Sequence, residues 1–150
     1  MRREDKLGKG HAVRMLLTLS VVLLSALLLW TAVDKILHWH AFLGVLSDYP
    51  LMLPSLVPAA GGIVIAGELC VAMSLWPVTL RRHALIAASG LFFGFALLVG
   101  LLYATRGAVP CGCAFSPLTP NAGLEHIAVN ILLAVLAFSV WRLESTLRTA

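Results

Sequence analysis

From Ala84 to Thr105 the chain carries no Asp, Glu, Lys or Arg. An α-helix rises about 1.5 Å per residue, so a run of this length crosses the roughly 30 Å hydrocarbon core of a bilayer. A second charge-free run, Met15 to Val33, has the same property. Two further apolar stretches lie at about Ala59 to Pro77 and Leu124 to Trp141. Of the 150 residues, 60% are hydrophobic and only 12% are charged, whereas a soluble surface needs about a quarter charged. The pattern predicts an all-α fold: one integral membrane domain, a four-helix transmembrane bundle with spans at about 13–33, 59–77, 84–105 and 124–141. The lipid bilayer is its first partner.

The basic start before Met15 resembles the opening of a signal peptide. The apolar run exceeds a usual signal core, and no small-x-small cleavage site precedes Asp34, so the run reads as a retained span. Basic residues then orient the bundle. Arg2, Arg3, Lys6, Lys9 and Arg14 flank the first span. Arg81 and Arg82 lie between the second and third, and Arg142 and Arg148 follow the fourth. Lys35 and Arg106 alone fall on the opposite side. The positive-inside rule predicts both termini in the cytoplasm of a bacterial-type cell, with a multi-pass protein in its inner membrane. The net charge of +4 is therefore orientational. No basic stripe interleaved with aromatics points to nucleic acid.

Between the first two spans, DKILHWHAFLGVL mixes polar and aromatic residues and predicts a short interfacial helix. Pro50, Pro54 and Pro58 interrupt any helix that runs on from it. Gly90 and Gly94 in the third span form a small-xxx-small pair, which marks close helix approach.

The connection from Arg106 to Gly123 is rich in proline and glycine and holds Cys111-Gly112-Cys113. The predicted topology places this pair on the outer face, in a compartment that permits disulfides. Gly112 lets the backbone bend enough to bring the two cysteines within bonding range. The ring so closed is small and strained, which suits exchange. Arg106 nearby favours a thiolate. A fixed structural disulfide is a second reading. A metal site, with both thiolates and His126 on Zn²⁺ or Cu⁺, is a third, although C-x-C lacks the spacing of a structural zinc site. His126, near the outer mouth of the last span, is a candidate for proton transfer during exchange.

Glu68 falls roughly 15 Å below the outer end of the second span. A carboxylate at that depth is a functional candidate, to be satisfied by Asn130 or a serine hydroxyl. A thiol pair with no second pair to relay to needs another electron carrier, and a quinone held near Glu68 and Asn130 is one candidate. Cys70, deeper still, reads as a buried small hydrophobe. Lys35 closes the first span as an interfacial anchor that reaches a carboxylate such as Asp48. His38 and His40 point apart on a helix and form no metal pair.

Three segments together resemble the MauE family, within the wider DoxX-like group of small four-helix membrane proteins. They are TAVDKILHWHAFLGVL after the first span, GELCVAMSLW in the second and CGCAFSP before the fourth. The start of the last span, with Asn130, is similar too. The resemblance implies four transmembrane helices and a part in methylamine utilisation. It further implies maturation or export of the disulfide-rich methylamine dehydrogenase small subunit, alongside a periplasmic thioredoxin-like partner. The family's paired cysteines fall on Cys111 and Cys113, its lysine on Lys35 and its glutamate on Glu68. Two rival classes stay open: a non-enzymatic assembly subunit with a structural disulfide, and a small metal or solute carrier using the thiols.

Overall fold

A computed structural model describes residues 2–49, 52–106, 109–110, 121–122 and 124–149. Five α-helices account for nearly all of them: α1 (Arg2–Leu37), α2 (Trp39–Ser47), α3 (Val57–Ser74), α4 (Val78–Arg106) and α5 (Leu124–Thr149). A 3₁₀ turn, Pro54–Leu56, leads into α3. Four segments are long and apolar enough to cross a membrane: Val13–Leu37, Pro54–Ser74, Val78–Thr105 and Leu124–Thr146. The chain is a multi-pass membrane protein built on a four-helix bundle, and α2 is the short extra helix.

The helices turn a regular stripe towards one another. On α3 the buried positions are Val57, Gly61, Ile65, Glu68 and Ala72, a spacing of three and four that keeps them on one face. On α1 they include Val21, Leu24, Ser25, Leu28, Ala32 and Lys35. The opposite faces carry large apolar side chains such as Trp30, Ile63, Phe93 and Leu132. Such exposure would be a liability in water and is the expected surface in lipid.

Lipid tails are as apolar as leucine, so burial alone does not hold the helices together. Small residues and hydroxyls contribute instead. Ala88 and Ala96 on α4 and Ala134 and Ala137 on α5 are buried, and Ser89 Oγ donates to the Ala134 carbonyl at 2.9 Å. Ser25 Oγ donates to the Ala72 carbonyl at 3.2 Å and accepts from Trp76 Nε1 at 3.0 Å. Ser25 lying beside Ala72, and Thr31 beside Glu68, makes α1 and α3 antiparallel. Both chain termini and the α3–α4 turn therefore share one end of the bundle.

Helix ends differ from the sequence expectation in three places. α1 runs past the charge-free stretch to Leu37, because the charge on Lys35 is neutralised inside the bundle. α3 stops at Ser74 and α4 begins at Val78, since the Pro77 carbonyl accepts from the Leu80 and Arg81 amides and starts the helix. Arg81 thus lies in the first turn of α4 rather than in a connection. Its guanidinium turns back to donate to the Leu75 and Trp76 carbonyls at 3.1 and 3.2 Å, satisfying acceptors that the end of α3 leaves open. α5 continues beyond Trp141 to Thr149.

At the far end of the bundle Val109–Pro110 pairs antiparallel with Asn121–Ala122. The two ends of the cysteine-bearing connection are thereby held side by side.

Candidate functional site

Two lone charges on neighbouring spans meet inside the bundle. Lys35 Nζ lies 2.7 Å from Glu68 Oε1. Lys35 is 6% exposed and Glu68 is 0% exposed. Side chains on a helix lean towards its N-terminus. On α1 that carries the Lys35 ammonium down into the bundle, where it also reaches the Thr31 carbonyl at 3.4 Å. On antiparallel α3 the same lean carries Glu68 up to meet it. Thr31 Oγ1 has Glu68 Oε1 at 3.3 Å and the Leu28 carbonyl at 3.0 Å as acceptors for its single proton.

Aromatic rings complete the surroundings. The Lys35 ammonium lies 5.8 Å from the Phe42 ring centroid and 5.4 Å from that of Phe95, both within cation–π range. Phe42 belongs to α2 and Phe95 to α4, so four helices contribute to one ion. Glu68 Oε2 is buried and has no hydrogen-bond partner among the described residues.

α2 lies over this pair. Phe42 and Leu46 pack with Ala32, Val57 and Ile65, flanked by Trp39, Leu43 and Met52. Gly61 permits the approach: a Cβ there would stand 2.9 Å from Leu43 and 3.1 Å from Trp39. Tyr49 follows α2, and burial raises its phenol pKa above the ordinary value, so it stays protonated at neutral pH.

The sequence expectations fare differently. Glu68 takes Lys35 and Thr31 as partners. The Asn130 amide instead donates along its own helix to the His126 carbonyl at 2.8 Å. Lys35 takes Glu68, rather than Asp48, as its carboxylate. In this arrangement Glu68 offers no exposed surface, and Lys35 and Thr31 both approach its Oε1. His126 is buried at the start of α5.

Cys70 is exposed on the outside of the bundle, not buried within it. It lies two residues beyond Glu68, about 200° round the helix, and so faces away from the core. There it lines a groove of about 220 Å³ with Ser74, His83 and Ala87. His38 is exposed, and its Nδ1 is 3.2 Å from Asp34 Oδ1. No cluster of three metal-ligating side chains occurs among the described residues. Cys111, Gly112 and Cys113 lie outside the described residues.

Sequence reasoning singled out Lys35 and Glu68 separately and missed that they pair. It also missed Thr31, Phe42 and Phe95. A signal existed: Thr31 and Lys35 are four apart on one helix face, and an intramembrane cation and anion on adjacent spans have few other partners.

A family model described as "Methylamine utilisation protein MauE" matches residues 13–143. The chain belongs to the MauE family. Membership connects this MauE-family protein to methylamine utilisation. The matched range takes in the first three spans, most of the fourth, the Lys35–Glu68 pair and the CGC connection. Comparison with curated proteins and with solved structures returned no match.

Proposed function

We propose that the protein assists thiol–disulfide exchange outside the cytoplasmic membrane, in the maturation of disulfide-containing periplasmic proteins. The observation that carries this reading is the Cys111-Gly112-Cys113 pair in the connection between α4 and α5. That connection leaves the end of the bundle opposite the chain termini, which bear most of the basic residues. With Lys35 consumed by Glu68, Arg106 is the one basic residue of the sequence left to that end, so the charge asymmetry that favours a cytoplasmic location for both termini is steeper than the sequence count. The family's link to methylamine utilisation supports the disulfide-rich methylamine dehydrogenase small subunit as a substrate and a thioredoxin-like protein as partner.

In the exchange, a thiolate of the pair attacks one sulfur of the partner's disulfide and forms a mixed disulfide. The departing partner sulfur leaves as a thiolate. The second cysteine then attacks the mixed bond, releasing the partner as a dithiol and leaving Cys111 and Cys113 joined. Two electrons pass to the partner, and the reverse sequence oxidises it. His126, one helical turn before Asn130, is placed in sequence to carry a proton during these steps.

Single Cys111→Ser and Cys113→Ser variants test this reading, because removing the resolving cysteine traps the mixed disulfide. One of the two is expected to accumulate a covalent adduct with a periplasmic thioredoxin-like protein, dissolved by dithiothreitol. Normal protein levels with no adduct in either variant would contradict exchange. Loss of the protein itself in both would favour a structural bond.

A further inference from the structure

We propose that the Glu68 pocket is a binding site for a small primary alkylammonium ion, in which the Lys35 ammonium is a displaceable resident. The inference is independent of the thiol-exchange reading.

The pocket has the parts that ammonium recognition requires. A fully buried carboxylate supplies the counter-charge, and the Thr31 backbone carbonyl lies beside the ammonium. The faces of Phe42 and Phe95 stabilise the cation from two sides. These are the contacts that Lys35 Nζ now makes at 2.7 Å and beyond. Methylammonium is the ε-methylene and ammonium of lysine with the stem replaced by hydrogen. It therefore fits the volume and donor geometry that the end of Lys35 occupies.

Two observations argue that Lys35 is not the pocket's ideal occupant. Glu68 Oε2 is buried without a partner, although an ammonium has three N–H donors. Lys35 is tethered through its stem to α1, and of the two carboxylate oxygens its ammonium engages only Oε1. A free ion can settle between both oxygens and satisfy the orphaned one, which a buried acceptor otherwise lacks at a cost.

Lys35 also has somewhere to go. It lies two residues from the end of α1 at Leu37, about 3 Å along the axis, so its side chain can snorkel to the interface. One ammonium leaves as another enters, and the charge inside the pocket does not change. α2 is the cover over this route, since Phe42 is its contribution to the pocket and it packs on Gly61 through flexible side chains.

The test is equilibrium binding of radiolabelled methylammonium to the full-length protein in lipid nanodiscs. The wild type is expected to bind saturably, with one ion per chain. Tetramethylammonium, which has no N–H to donate, is expected not to compete. Lys35→Ala empties the pocket and is expected to bind roughly tenfold more tightly, because the ligand no longer competes with a resident. The double variant Lys35→Met/Glu68→Leu buries no charge and so remains foldable, and it is expected to lose binding. Absence of saturable binding to the wild type would overturn the proposal. So would equal affinity in the wild type and the double variant, or competition by tetramethylammonium as strong as by methylammonium itself.

Discussion

Lys35 and Glu68 meet beneath α2 at 2.7 Å, and their energetics are those of a buried ion pair. Taking both ions out of water is expensive, and their mutual attraction repays it only while both remain. Replacing one partner strands the other. Lys35→Met is therefore expected to cost about 3–5 kcal/mol, read as a fall in the unfolding midpoint in detergent. The double variant Lys35→Met/Glu68→Leu is expected to recover most of that loss, since a well-packed apolar pair often replaces an ion pair at little cost. A double variant as unstable as the single would show that the two charges act separately. Serine plays a smaller part of the same kind, with Ser25 linking the Ala72 carbonyl to Trp76 Nε1. Such interhelical bonds contribute about 0.6 kcal/mol each. The partnership of Lys35 was hidden in the sequence because its position at the end of a charge-free run matches that of an interfacial anchor. Only the antiparallel register of α1 and α3 brings Glu68 into its reach.

At the scale of elements, α2 stands apart from the four spans. It has nine residues, too few to cross a bilayer, and no side-chain cap at its start. Its place depends on packing against α3 at Gly61. Gly61→Leu fills that contact and is expected to push α2 off α3. Amide hydrogen exchange over residues 39–47 would then speed up by at least about tenfold, corresponding to about 1.4 kcal/mol of lost local stability. Unchanged exchange would mean that α2 is held elsewhere. The existence of α2 was readable from its mixture of aromatic and polar residues. The exact ends of α3 and α4 were not, because a charge cluster such as Arg81-Arg82-His83 marks a membrane face without saying whether the backbone there is helical. Cys70 was misplaced for a related reason: depth follows from residue count, but the face of a uniformly apolar helix follows from its neighbours.

For the whole molecule, four apolar runs were enough to establish the bundle, since the bilayer excludes almost every alternative. Topology rests on the basic residues. A reporter active only in the cytoplasm is expected to work when fused after Ala150 and to fail when inserted between α2 and the Pro54–Leu56 turn. The opposite result would invert the bundle and move the cysteine pair to the reducing side. The cysteine pair itself was visible as residue types and spacing, whereas the ion pair beneath α2 needed three-dimensional structure. The most direct measurement is a redox titration of Cys111 and Cys113 in intact membranes, with free thiols counted by alkylation and mass shift. A reversible two-electron transition near the potential of the outer compartment is expected. Thiols that stay oxidised under strong reductant, or reduced under oxidant, would contradict thiol–disulfide exchange.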